Sequence, residues 1–137
     1  MVTATDPQGP WSAPIPLNKM GFDPSLFHDP DGTKWLVNML FDYRLDHKRF
    51  GGVGVQQYDP KTQKLVGPIY NVFKGSDKGT TEGPNIFYHN GWYYLVTAEG
   101  GTEFKHCVTM CRSRKLTGPY EISLMRRSLH LLEKMYS

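Results

Sequence analysis

The chain repeats itself, and this constrains its fold more than any other feature. Asp23-Pro24-Ser25-Leu26-Phe27-His28 is answered sixty positions further on by Gly83-Pro84-Asn85-Ile86-Phe87-Tyr88. Both stretches run into a polar turn, Asp29-Pro30-Asp31-Gly32 in one and His89-Asn90-Gly91 in the other. Asp-Gly and Asn-Gly favour the positive φ angles of tight hairpins. After the turn the match resumes one residue shorter, with Trp35-Leu36-Val37-Asn38 against Tyr94-Leu95-Val96-Thr97. Each unit therefore reads as a hairpin whose second strand is rich in aromatic and β-branched residues.

A second element follows each hairpin. Leu65-Val66-Gly67-Pro68-Ile69 matches Leu116-Thr117-Gly118-Pro119-Tyr120, and Gly9-Pro10-Trp11 matches the end of both. Ahead of the two later copies run the strand-like stretches Val53–Tyr58 and Cys107–Arg112. Four antiparallel strands in a unit of this length describe a propeller blade. A two-sheet sandwich also uses short strands at regular spacing, and the three Gly-Pro copies favour blades. The expected fold is all-β. Residues 1–21 would be the outer strand of a preceding blade, 22–73 one blade and 82–122 the next, within a single incomplete propeller domain. Residues 123–137 form an atypical tail. From Ile122 on, Leu124, Met125, Leu129, Leu131, Leu132 and Met135 mix with Arg126, Arg127, Glu133 and Lys134. That spacing suits a short amphipathic helix, and a non-native end to a reading frame explains it equally.

Composition bears on partners. With 16 Lys and Arg against 13 Asp and Glu, the net charge is +3, spread without a basic block, so no nucleic acid is expected. Met1–Pro10 is polar, with no signal peptide visible, and no run is long enough to span a membrane. A cytoplasmic location fits. Cys107 and Cys111, on one face of a strand, lie roughly 13 Å apart at about 3.3 Å per residue, too far for a disulfide. The five histidines are scattered without ligand spacing, so no metal or other cofactor is assigned. Blades bury their faces against neighbours, so two blades are expected to self-associate or to depend on further sequence.

The first strand of a blade lines the central channel. Asp23 opens one such strand and Glu82 the other, each followed by apolar side chains. Either acid alone could be a turn starter or a solvated loop charge. As a pair at equivalent positions on neighbouring blades they would meet at the axis. Adjacent acids raise one pKa, which suits a general acid, and paired carboxylates are the equipment of glycoside hydrolysis.

Here a resemblance enters. Gly21-Phe22-Asp23-Pro24-Ser25-Leu26-Phe27-His28-Asp29 with Trp35-Leu36-Val37-Asn38-Met39 looks like the second blade of glycoside hydrolase family 43. Thr81-Glu82-Gly83-Pro84-Asn85 with Tyr93–Thr102 resembles its third. Phe50-Gly51-Gly52, Gln57-Tyr58-Asp59 and Arg112-Ser113 also fit, so that the likeness covers about Gly9 to Glu121. It points to the β-xylosidases and α-L-arabinofuranosidases of that family. It implies a five-bladed β-propeller, an inverting mechanism and a xylo-oligosaccharide or arabinoside substrate. It makes Glu82 the general acid, with Asp23 raising its pKa and orienting it. The family's general base is an aspartate of the first blade, which is expected to be missing here. Asp6 lies in the wrong context to replace it. A sugar-binding or scaffold fragment without turnover is the alternative. The stretch Phe41-Asp42-x-Arg44 resembles a family segment that places Phe41 and Arg44 near the substrate; an Asp42–Arg44 surface ion pair is the plainer reading.

Overall fold

The computed structural model describes residues 1–102, 104 and 106–122. The described residues form eight strands in two four-stranded antiparallel sheets, each in simple chain order. The first sheet comprises β1 (Phe22–His28), β2 (Lys34–Phe41), β3 (Phe50–Asp59) and β4 (Lys64–Phe73). The second comprises β5 (Thr81–His89), β6 (Trp92–Glu99), β7 (Cys107–Ser113) and β8 (Glu121–Ile122). These are two blades of a β-propeller. The helix expected over the tail falls outside the described residues. Among the described residues no helix is long and apolar enough to cross a membrane.

Turn chemistry fixes the hairpins. Asn90 and Gly91 hold φ values of 48° and 76°, the paired left-handed conformation of a two-residue hairpin. In the first blade the turn is longer. Asp31 accepts from the Thr33 amide at 2.7 Å and from its hydroxyl at 2.6 Å. Gly32 donates back to the Asp29 carbonyl at 2.9 Å. Each turn sets the register of its pair, Phe27 opposite Trp35 and Phe87 opposite Tyr94.

The core lies between the sheets. Phe27, Val37, Val53, Val55, Val72 and Phe73 of the first blade pack with Leu95, Cys111, Leu116 and Tyr120 of the second and its flanking loop. Burial pushes the Cys111 thiol up to about 12, with the Glu99 carboxylate adding to it. Strand β1 packs along β5, and three hydrogen bonds fasten the two blades. Gly83 N–H donates to Asp23 Oδ2 at 3.1 Å. Ser25 Oγ donates to the Pro84 carbonyl at 2.6 Å. Tyr93 Oη donates to Asp29 Oδ1 at 3.1 Å. The Tyr93 ring also meets Phe27 edge-on at 6.0 Å.

One expectation needs correction. Residues 1–20 contain no strand. The stretch carries Pro7, Pro10, Pro14 and Pro16, which lack the N–H that a sheet ladder needs. It folds back on itself instead, with Ser12 N–H donating to the Thr3 carbonyl and Ile15 N–H to the Met1 carbonyl, both at 2.8 Å.

Candidate active site

The site begins with a bulge that both blades share. In the first, Asp23 and Pro24 together face Asn38, because Phe22 pairs with Met39 and Ser25 with Val37. In the second, Gly83 and Pro84 together face Thr97, because Glu82 pairs with Ala98 and Asn85 with Val96. Proline explains the interruption: it has no N–H for the ladder, so the sheet absorbs it in a bulge.

The bulges show that Asp23 and Glu82 are not equivalent repeat positions, contrary to the sequence expectation. Asp23 takes the place of Gly83, and Phe22 takes the place of Glu82. The sixty-residue repeat already sets Asp23 against Gly83, and the pairing of the two acids passed over that one-residue offset. The two acidic positions are still linked, through the backbone next to Glu82. Asp23 holds φ 53°, a left-handed conformation that Asp tolerates better than most residues. From there its carboxylate receives the amide of Gly83, the residue directly after Glu82. Asp23 is exposed and Glu82 half-buried. Glu82 pairs with Ala98 at the edge of the bulge, with Thr81 paired to Glu99 on its other side.

Phe41 ends β2, and its ring lies 5.6 Å from that of Phe22, the neighbour of Asp23, and 4.8 Å from that of Tyr43. The Arg49 guanidinium sits 5.7 Å from the centre of the Phe41 ring. Arg44 forms a two-pronged pair with Asp42, Nε to Oδ1 at 2.9 Å and Nη2 to Oδ2 at 2.6 Å. Its side chain is largely exposed. Hydrogen bonding from Arg44 holds the Asp42 carboxyl well below the usual carboxylate range. The plainer ion-pair reading of Arg44 is therefore present.

Sequence reasoning missed Glu99. Its side chain is wholly buried at the end of β6. Oε1 accepts from the Thr81 hydroxyl at 2.9 Å and Oε2 from the Thr109 hydroxyl at 2.8 Å. The Ser76 hydroxyl also donates to Oε2. Thr81 precedes Glu82 and is itself fully buried. One signal was available: the repeat aligns Glu99 with Leu40, so an acid stands where the other blade has a hydrophobic residue.

Trp92 lies against two cations, with the Arg114 guanidinium 3.6 Å and the Arg112 guanidinium 4.5 Å from its ring centre. Those contacts occupy the indole as structural packing.

Comparison with known proteins gives this geometry a family. The model of glycosyl hydrolases family 43 matches residues 1–130. The chain is 56% identical over 122 residues to xylosidase/arabinosidase 43B of Humicola insolens, covering 89% of this chain and 23% of that protein. It is 49% identical, with the same shares, to a beta-xylosidase of Bacillus subtilis strain 168. The crystal structure of xylan beta-1,4-xylosidase from Bacillus halodurans C-125 superposes with a TM-score of 0.87 at 54% identity, over 90% of this chain and 24% of that one. The chain thus spans about a quarter of the length of these relatives. On sequence and fold together, it belongs to glycosyl hydrolase family 43.

Proposed function

We propose that the chain supplies two acids to the catalytic channel of a glycoside hydrolase that releases xylose or arabinose from xylo-oligosaccharides or arabinosides. The observation that carries this reading is the bond from the Gly83 amide to the Asp23 carboxylate, which ties the two acidic positions together across the blade boundary. The xylosidase and arabinosidase names of the relatives support the substrate class.

In this reading Glu82 is the general acid. Its proton passes to the glycosidic oxygen as the bond from that oxygen to the anomeric carbon breaks. Water adds to the opposite face of the sugar, losing a proton to a separate general base, so the configuration inverts. Asp23 fixes the backbone beside Glu82 through the Gly83 amide. The Phe22–Phe41–Tyr43 cluster offers apolar rings for a sugar face, with Arg44 at its side.

A second reading is sugar binding without turnover. It is favoured by the tie of Asp23 to a backbone amide, which suits positioning more than activation of water. The two separate on release of nitrophenol from aryl β-xyloside and aryl α-arabinofuranoside by the purified chain, with Glu82→Gln alongside. Turnover that falls about 10²–10⁴-fold in Glu82→Gln supports the enzyme reading. Sugar binding by calorimetry with equal, background turnover in both proteins supports the second.

A further inference from the structure

We propose that Glu99 is the positioning residue for Glu82, acting through Thr81. The proposal rests on the reading of Glu82 as the acid of the site.

A buried carboxylate is costly unless its oxygens are satisfied. Glu99 meets that cost with hydroxyl donors from three separate segments: Ser76 in the β4–β5 connection, Thr81 at the first residue of β5, and Thr109 in β7. No cation is paired with it among the described residues. A core position needing only bulk would hold an apolar side chain, as Leu40 does at the matching point of the first blade. The cluster therefore does something that Leu40 does not.

What it does follows from its location. Thr81 and Glu99 are direct ladder partners, and Glu82 pairs with Ala98 beside them. The Glu99 carboxylate adds a side-chain bond to that backbone pairing, so Thr81 is held twice. Gly100 N–H closes the same corner on the Thr80 carbonyl at 3.1 Å. On the other side of Glu82 the Gly83 amide is held by Asp23. Both chain neighbours of Glu82 are thus held by carboxylates, Thr81 by buried Glu99 and Gly83 by Asp23 across the blade boundary. Fixing a general acid within a few tenths of an ångström matters, because a displacement of about 1 Å costs about a hundredfold in rate.

The test is a set of variants of the whole chain read by NMR. The probes are the Thr81, Glu82 and Gly83 amide resonances and the Glu82 side-chain carboxyl carbon. Thr81→Val is nearly isosteric and removes only the link. Glu99→Ala removes the anchor. Glu99→Gln is the rescue, because its amide oxygen can still accept from Thr81 while its NH2 donates to the Ser76 and Thr109 hydroxyls. The expected result is displacement of the Glu82 carboxyl and Gly83 resonances in Thr81→Val and Glu99→Ala, with largely wild-type positions in Glu99→Gln. Unchanged Glu82 and Gly83 resonances in folded Thr81→Val overturn the proposal, even where Glu99→Ala fails to fold. Where the chain turns over aryl glycosides, Thr81→Val should lower kcat about tenfold or more with KM little changed. Absence of turnover in the wild-type chain strikes the enzyme reading and leaves the NMR comparison decisive for Glu99.

Discussion

The two blades are copies of one pattern, and they differ at the candidate acids. Both have a Pro-induced bulge in the inner strand, facing one residue of the second strand. The first blade places Asp23 in that bulge with φ 53°, and the second places Gly83 there with φ 56°. The first blade has Phe22 in the ladder beside its bulge, and the second has Glu82. The first has half-buried Leu40 against Gly54, where an added Cβ would meet the leucine at 2.8 Å. The second has buried Glu99 among hydroxyls. A propeller scaffold can carry one set of acids per blade, yet here each blade contributes a different acid, and the second adds a polar support beneath its own. Repetition supplies the geometry, and divergence at a few positions supplies the roles.

The comparison can be broken first at the 40/99 pair. Glu99→Leu should lose about 3 kcal/mol, since Thr81 and Thr109 are left without their acceptor at about 1–3 kcal/mol each. Leu40→Ala should lose about 1–2 kcal/mol, below the range for a fully buried leucine. Urea unfolding at one fixed chain concentration measures both. Equal losses would mean that the carboxylate cluster is ordinary packing.

The bulges come next. Asp23→Ala puts a residue without a local hydrogen bond into a left-handed conformation and should cost about 1–2 kcal/mol. Asp23→Asn should cost less, because Asn tolerates that conformation and its oxygen can still receive the Gly83 amide. Gly83→Ala should cost about 1 kcal/mol from backbone strain alone, as its added Cβ meets nothing within 4 Å. A Gly83→Ala loss of several kcal/mol would show that the second bulge is more tightly packed than the first.

The boundary between the blades has a smaller, pH-dependent signature. Tyr93 is pushed up to about 12, chiefly by burial and then by the charge of Asp29. Between about 10 and 12 the unfolded chain has released this proton and the folded chain has not. The folded state therefore binds more protons, and stability falls as pH rises through that window. Cys111 adds a slope of the same sign, starting nearer 9. Tyr93→Phe should flatten the profile above pH 10 in a series of unfolding midpoints, and an unaltered slope would place the effect elsewhere. Smallest of all, Arg44→Ala should leave the unfolding midpoint unmoved, because its exposed pair with Asp42 is nearly offset by hydration and salt screening. A rise in KM with no change in stability would assign Arg44 to the substrate.

Much of the architecture was legible because it is local. Asn90-Gly91 announces a tight hairpin, and the recurring Phe27 and Phe87 ahead of the turns mark matched strands. Asp23 and Glu82 could be picked out by their position at the head of those strands. Their offset was readable too, since the sixty-residue match sets Asp23 against Gly83, but two acids ahead of two prolines were taken as equivalent without applying it. Glu99 was hidden for another reason. Its partners Ser76, Thr81 and Thr109 come from three segments that only the folded sheet brings together, so no spacing along the chain encodes the cluster. Residues 1–20 were misread because a Gly-Pro copy was taken as a strand marker in a stretch whose prolines prevent one.

The three bonds between the two blades have one more consequence. They are distributed along β1, near its start at Asp23, in its middle at Ser25 and just past its end at Asp29. A single contact would act as a pivot, whereas three in a row act as a key in a slot and fix the tilt of one blade against the next. In a ring of wedges, the tilt between neighbours decides how many wedges fit before the circle closes. The tilt of one blade against the other is thus set at this one joint, by Asp23, Ser25, Asp29 and Tyr93.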